Sequence, residues 1–220
     1  MLTLALDTAT STVVVGVARV GADVAVLAQR RTAGPARHGE TLSPSVAEVL
    51  SEAGIAPADL SAVVVGVGPG PFTGLRVGMV TAAAFGDALE LPVHGVCSLD
   101  AIALGLADHS GRTLVAIDAR RREVYWAVYD DGRRVEGPYV GPPGEAQDRL
   151  LGLTSVRVVG GGAVLYELPH ARDAGPTVAG LVVAALPRLL DGRPPAPLRA
   201  AYLRRPDAVE LRPRVAARPR

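Results

Sequence analysis

Three stretches of the sequence carry residue types that could bind a nucleotide phosphate and its magnesium ion. Asp7 and Thr8 follow an apolar run that begins at Leu2, and Asp118 follows a similar run in the second half of the chain. Between them, residues 66–78 read GVGPGPFTGLRVG. Carboxylate and hydroxyl oxygens are ligands that Mg²⁺ prefers, and a glycine-rich turn before a helix directs backbone N–H groups at an anion. Together these stretches indicate a candidate nucleotide site with contributions from both halves.

The same residue types also have ordinary structural roles, so both interpretations stay open at this point. Glycines permit tight turns and close packing of a strand against a helix, and aspartate and threonine are common in turns. The chain contains no lysine, so the glycine loop is not a P-loop of the form GxxxxGK[ST]. The candidate nucleotide-binding residues are Asp7, Thr8, Gly68, Gly70 and Gly161.

Composition predicts a soluble, globular, cytoplasmic protein. The chain has 220 residues, of which 49% are hydrophobic and 20% are charged, and its apolar runs fall short of the roughly 20 residues that a membrane span needs. The N-terminus does not resemble a signal peptide. A single cysteine, Cys97, cannot form an internal disulfide. All cationic side chains are arginines, and residues 204–220 form a basic C-terminal tail.

Hydrophobic periodicity predicts the elements that position these residues. Apolar residues of the first predicted helix recur at helical spacing, and Gly54 is placed to end that helix. The fourth strand is an unbroken apolar run, which predicts burial on both faces. In the first half we predict strands at 2–6, 13–17, 24–30, 62–67 and 92–96 and helices at 42–53 and 75–89.

The second half repeats the pattern of the first, with predicted strands at 114–118, 124–129 and 156–159 and a closing helix at 177–190. A strand followed by Gly160–Gly162 matches the strand that precedes the first glycine loop. An internal duplication of an α/β unit is the simplest account. We therefore expect two similar lobes with a cleft between them, at residues 1–108 and 109–203, followed by the tail.

The glycine loop resembles the signature GPGSFTGLRIG of the bacterial TsaB (YeaZ) family, with Pro71 where serine is usual. The similarity is dense over the first 130 residues and sparse after them. The other similar stretches are LALDTATSTVVVGV, HGETLSPSV, GVCSLDAIA, IDARRREVYWAVY, VVGGGA and AYLRRP.

This resemblance implies an actin-like, Hsp70-like (ASKHA) fold of two ribonuclease-H-like lobes. It also implies a non-catalytic scaffold for the paralogue TsaD, in the complex that forms N6-threonylcarbamoyladenosine next to the anticodon of tRNAs reading codons that start with A. TsaD is the expected main partner, and TsaE and tRNA are expected to be reached through the complex. For the chain alone, a homodimer and a monomer are both open alternatives, and ATP or ADP is a candidate ligand at the partner interface.

The resemblance also distinguishes the two paralogues, because TsaD carries a metal-binding histidine pair after the glycine loop and its helix. Here that stretch reads Cys97-Ser98-Leu99-Asp100-Ala101-Ile102, without a histidine. One thiol and one carboxylate do not replace an imidazole pair. We expect no catalytic residue and no metal site, and a remnant of a nucleotide site at the candidate residues. The alternative is a small ATPase or kinase of the actin-like fold, and the glycoprotease label carried by some relatives ranks below both.

The two N-terminal helices are more apolar than one buried stripe requires, which indicates either a partner interface or simple coverage of the sheet. The resemblance favours the interface, because members of the family join TsaD through helices of this region. At least some of the interface residues are expected to face solvent before assembly. The candidate partner-binding residues are Leu42, Val46, Val49, Leu50, Met79, Ala82 and Ala83.

Overall fold

The structure is a computed structural model that describes residues 1–34, 38–151, 155–192 and 194–204, apart from the side chain of His38. Apart from Arg204, the predicted basic tail lies outside the described residues. None of the described helices has the length and apolarity needed to cross a lipid bilayer.

The described residues form nine strands, six α-helices and a short 3-10 turn at Pro57–Asp59. The strands are β1 (Leu2–Asp7), β2 (Thr12–Val20), β3 (Val24–Ala33), β4 (Ala62–Gly66), β5 (Val93–Val96), β6 (Arg112–Asp118), β7 (Val124–Asp130), β8 (Arg133–Gly141) and β9 (Arg157–Val159). The helices are α1 (His38–Ala53), α2 (Phe72–Leu89), α3 (Ser98–Leu104), α4 (Pro143–Asp148), α5 (Gly161–Leu165) and α6 (Val178–Leu190).

The N-terminal sheet has five strands in the order β3-β2-β1-β4-β5. The first three strands pair antiparallel, and β4 and β5 run parallel to β1. Every residue of β4 is buried, which confirms the prediction of a strand covered on both faces. Helices α1 and α2 pack over one face of the sheet and α6 packs over the other, so this sheet lies between two helical layers.

The C-terminal sheet repeats this topology with four strands in the order β8-β7-β6-β9. Strands β6, β7 and β8 pair antiparallel, and β9 runs parallel to β6, as β4 does to β1. Helix α3 contributes to the core on one face, and α4 and α5 contribute to the core on the other. The predicted duplication and α/β fold class are thereby confirmed. The predicted lobe boundary at residues 108 and 109 falls between α3 and β6 and stays a prediction.

The last described segment, residues 194–204, runs from the first lobe to the second. Leu198 packs against the core beneath α1 and α2, and the Ala201 N–H donates to the Val67 carbonyl at 2.8 Å. Further on, the Arg204 guanidinium donates to the Ala119 carbonyl at 3.1 Å and pairs with the Glu123 carboxylate. The segment therefore links the glycine-loop side of the N-terminal sheet to the turn that follows β6.

Candidate functional site

The glycine loop between β4 and α2 packs directly on the turn that connects β1 to β2. Gly70 lies against the Ala9 backbone, and Gly74 lies against the Thr8 carbonyl, so that a methyl group on either glycine would overlap the turn. Gly68 adopts φ +93°, a backbone conformation that favours glycine. The space between this loop and turn is thus filled by the chain itself.

Asp7 lies at the centre of this contact and is fully buried. Its Oδ1 accepts a hydrogen bond of 2.7 Å from the Ala9 N–H, and its Oδ2 accepts one of 2.6 Å from the Ser98 hydroxyl. Buried carboxylates are retained where donors of this kind compensate for lost hydration. Asp7 therefore joins the end of β1 to the start of α3.

Thr8 has an equivalent role toward α2. Its buried hydroxyl donates to the Gly74 carbonyl at 2.7 Å and accepts from the Gly78 N–H at 3.0 Å. The Gly74 carbonyl and the Gly78 N–H lie four residues apart in α2, so one side chain contacts both members of a single i, i+4 pair of the helix. Thr8 fixes the start of α2 against β1.

The second lobe repeats this arrangement at its own glycine turn. Gly160 has φ +117° and lies against the Ala116 carbonyl, and Gly162 lies against the backbone of Ile117. Asp118 accepts a hydrogen bond of 2.8 Å from the Arg120 N–H, another of 3.2 Å from the Tyr166 hydroxyl, and an ion pair of 3.3 Å from the Arg120 side chain. Both aspartates at the ends of equivalent strands hold their own turns.

A cleft of about 450 Å³ lies between the two sheets. Of the five candidate nucleotide-binding residues only Gly161 lines it, so the structure does not bring the predicted set together at the cleft. Its polar lining includes Thr10, Ser11, Thr12, Arg31, Asp118 and Arg120. Arginines and hydroxyls can hold a small anion, but among the described residues no histidine or cysteine lines the cleft to form a nucleophile and base pair.

The stretch that stands where TsaD has its histidine pair is also occupied by internal contacts. Burial, reinforced by the nearby Asp100 carboxylate, raises the pKa of the Cys97 thiol to about 11, so the thiol stays protonated at neutral pH. Asp100 accepts a 2.8 Å hydrogen bond from the Tyr129 hydroxyl and pairs with Arg134 at 3.2 Å. Within the described ranges, no three histidine, cysteine or acidic side chains cluster closely enough to hold a metal ion.

The structure places the predicted partner-binding residues of α1 in the core and not at the surface. They form the stripe that covers β2 and β3 and belong to the hydrophobic core. The exposed fractions are 1% for Leu42, 2% for Val46, 0% for Val49 and 6% for Leu50. These residues are available to no partner in the folded monomer, because the periodicity that drew attention to them is that of an ordinary core-facing stripe.

Helix α2 differs from α1, because small residues predominate on its inner face and Leu75 is its one fully buried large side chain. Gly74, Gly78, Ala82 and Gly86 recur every four residues on the buried side, which lets the helix lie close to β1 and β4. Ala82 is therefore a core residue, a second correction to the predicted interface. Met79 and Ala83 are half-buried at its edges and stay predicted partner contacts.

Two large apolar side chains of α2 point outward, whereas its other large apolar side chains are buried or packed against the core. Phe72 is 44% exposed and Val80 is 67% exposed. The Phe72 ring stacks on Tyr202 with centroids 5.4 Å apart, and the Arg76 guanidinium lies 3.7 Å above the same ring and donates to the Tyr202 hydroxyl at 3.2 Å. We call Phe72, Arg76, Val80 and Tyr202 the outer face of α2. Sequence reasoning missed it, although the first three recur every four residues and Tyr202 belongs to AYLRRP.

Comparisons with known proteins agree with one another. The model of the family described as "TsaD: tRNA N6-adenosine threonylcarbamoyltransferase" matches residues 32–189. An uncharacterized protein of Mycobacterium leprae is 52% identical over 208 residues, which cover 93% of this chain and 55% of that protein's length.

Two further relatives carry family names. The "tRNA threonylcarbamoyladenosine biosynthesis protein TsaB" of Escherichia coli is 41% identical over 97 residues, covering 43% of this chain and 42% of that protein. The solved structure "YeaZ from Pseudomonas aeruginosa" superposes with a TM-score of 0.72 at 30% identity, and covers 88% of this chain and 94% of that one.

Proposed function

Since this chain belongs to the TsaB (YeaZ) family, we propose that it is a non-catalytic partner and scaffold of TsaD. The pair acts in the complex that forms N6-threonylcarbamoyladenosine next to the anticodon of tRNAs reading codons that start with A. TsaE and tRNA join through TsaD, and the work is done in the cytoplasm, where tRNA is modified.

The observation that carries the proposal is that α2 packs on the sheet mainly through small residues and exposes two large apolar side chains. The glycine loop of the family signature fixes this helix against the sheet by its small side, and thereby leaves Phe72 and Val80 in water. Exposed apolar side chains on a well-packed helix are characteristic of a surface that a partner covers. A helix of TsaD laid along the outer face of α2 would bury them. Without TsaD, a second copy of this chain could use the same face.

A non-catalytic role is supported by the internal contacts of the polar groups that could otherwise act in catalysis. Asp7, Thr8 and Asp100 hold turns and helices in place, and the Cys97 thiol is protonated at neutral pH. The purified chain is therefore expected to show neither ATP hydrolysis nor threonylcarbamoyl transfer by itself. Turnover that persists through purification and disappears in Asp7→Ala would contradict this.

The cellular experiment is depletion of the protein followed by mass spectrometry of nucleosides from digested total tRNA. We expect N6-threonylcarbamoyladenosine to fall and to recover when the wild-type gene is restored. A variant in which Val80 is replaced by glutamate should restore it poorly, whereas one with Leu190→Glu, equally exposed on α6, should restore it fully. An unchanged nucleoside level after depletion would mean that the proposed function is wrong.

A small ATPase or kinase is the second candidate, and the cleft between the lobes is the observation in its favour. Arg31 and Arg120 could meet phosphates there, although four of the five predicted nucleotide-binding residues lie elsewhere. Binding of ATP or ADP, to the chain or at its interface with TsaD, is measurable with a fluorescent analogue. A signal that needs TsaD would favour the interface, and a signal lost in Arg120→Gln without TsaD would favour the cleft.

A further inference from the structure

A second concavity lies at the β8 edge of the C-terminal sheet and shares no lining residue with the cleft. It is an open groove of about 450 Å³. Its lining is aromatic and apolar at the centre and charged at one side. The residues that the argument uses are Trp126, Pro138, Tyr139, Glu145, Arg149 and Leu203. We call this concavity the Trp126 groove.

The central residue of this groove has an unsatisfied donor. Trp126 is only 2% exposed, yet its indole N–H has no acceptor among the described residues. A buried donor without a partner costs stability relative to a paired one. Tyr139, 46% exposed, packs against the indole with ring centroids 4.9 Å apart and the two ring planes tilted by 55°.

The charged side of the groove favours a cation. The Arg149 side chain is already paired with Glu136 at 3.5 Å. Glu145, on α4, lies against Gly141 at the end of β8, and within the described part of the chain no hydrogen bond or ion pair involves its carboxylate. One uncompensated negative charge therefore stands beside the aromatic centre.

These features match the chemistry of a basic, proline-containing segment. Grooves lined by aromatic rings accept polyproline II segments, whose proline rings pack on the aromatic faces and whose carbonyls point outward to accept from donors such as an indole N–H. An arginine next to such a proline would reach the free carboxylate. The ligand class is thus an extended peptide with arginine beside proline.

The chain itself contains such a peptide directly after this groove. Leu203 lines the groove, and residues 205–220 follow it with five arginines, two acidic residues and three Arg-Pro pairs, at 205–206, 212–213 and 218–219. The net positive charge of this segment complements the Glu145 side, and 16 residues in extended form span about 50 Å, far more than the groove requires.

We propose that the Trp126 groove binds the chain's own Arg-Pro segment, residues 205–220, and that the bound segment supplies the acceptor for the Trp126 indole N–H. The interaction is independent of the proposed role with TsaD. It gives the arginine-rich tail a binding site within the protein.

Trp126 is the only tryptophan of the chain, so its indole N–H gives a single cross-peak in a ¹H–¹⁵N spectrum of the full-length protein. In the wild type we expect this proton to exchange with solvent about tenfold more slowly than in a full-length variant with Pro206, Pro213 and Pro219 replaced by alanine. Glu145→Gln should shift the cross-peak in the same direction. The matched control is Asp148→Asn, which removes another exposed carboxylate of α4 outside the groove, and it should leave the cross-peak unchanged.

Addition of a synthetic peptide of residues 205–220 to the triple proline variant should restore the wild-type cross-peak position, which also shows that the variant is folded. The proposal is overturned if the cross-peak and its exchange rate are the same in the wild type and the triple variant. It is equally overturned if the peptide has no effect while TsaD or tRNA shifts the cross-peak, because the groove then belongs to another partner.

Discussion

Helices α1 and α2 both look strongly apolar in sequence, yet they use their apolar residues in opposite ways. In α1 the large side chains, such as Val46 and Val49, point inward and complete the core. In α2 the inner face is built mainly from glycine and alanine, with Leu75 as its one fully buried large side chain, and Phe72 and Val80 remain outside. The two helices cover the same sheet, but of the two only α2 exposes large apolar side chains to solvent.

The difference teaches that the spacing of small residues can mark the buried face of a helix as well as the spacing of large ones does. A helix that packs on the sheet through glycines approaches it closely, and close approach leaves little room for large side chains between the two, so that Leu75 alone is fully buried there. Thr8 fixes the position of the helix on the sheet, because its hydroxyl forms hydrogen bonds with backbone groups of both Gly74 and Gly78. Of the large apolar residues of α2, Phe72 and Val80 are thereby left exposed on the outer face.

The largest effect is expected for a charge on the inner face of α1. Val49→Glu places a carboxylate at a fully buried position, and we expect it to lower the free energy of unfolding by more than about 3 kcal/mol. Ala47→Glu, on the exposed side of the same helix, should change it by less than about 0.5 kcal/mol. Denaturant titration measures both. Equal stability of the two variants would contradict the conclusion that the apolar residues of α1 complete the core.

A smaller loss of stability is expected when a buried glycine of α2 is replaced by a larger residue. Gly78→Ala places a methyl group against the Thr8 hydroxyl, and overpacking of this kind costs about 1–3 kcal/mol. Gly39→Ala in α1, where nothing lies within 4 Å of the new methyl, should be neutral or stabilise by up to about 1 kcal/mol. Thermal unfolding distinguishes the two variants. A stabilised Gly78→Ala protein would show that α2 is not closely packed against Thr8 at this position.

The smallest effect concerns the outer face itself. Tyr202→Ala removes the stack on Phe72 and the hydrogen bond from Arg76, and should cost about 0.5–1.5 kcal/mol in the monomer. Val80→Ala should leave the stability within about 0.5 kcal/mol of the wild type, because Val80 is exposed in the free chain. A clear destabilisation by Val80→Ala would place this side chain in the core instead.

Much of the fold could be predicted from the sequence, because the strands and helices at the centre of each lobe have strong periodicity. Gly54 ends α1 with φ +65°, as its place after the apolar stripe indicated. Helices α3, α4 and α5 were missed, since at five to seven residues they are too short to show a helical period. Strand β8 was missed because Gly137 and Pro138 interrupt it, which an edge strand tolerates.

The site was predicted less well, because the same residue types occur in the buried structure of the fold and in binding sites at its surface. Asp7 and Thr8 have the chemistry of a nucleotide site, and only their buried partners, Ser98 and the backbone of α2, show that they hold the fold. Leu42 and Val80 are both apolar residues of N-terminal helices. Which of them meets solvent depends on how closely each helix approaches the sheet, a tertiary property that periodicity within one helix does not contain.

The central claim is that the outer face of α2 binds TsaD, and the most direct test is the dissociation constant of the pair measured for two matched variants. Val80 and Leu190 are exposed to 67% and 68%, so a glutamate at either position should leave the melting temperature of the free chain nearly unchanged. In the complex, Val80→Glu would bury an unpaired carboxylate against TsaD, and we expect it to weaken binding about a hundredfold or more, whereas Leu190→Glu should bind as the wild type does. Wild-type affinity in a folded Val80→Glu protein would contradict the account.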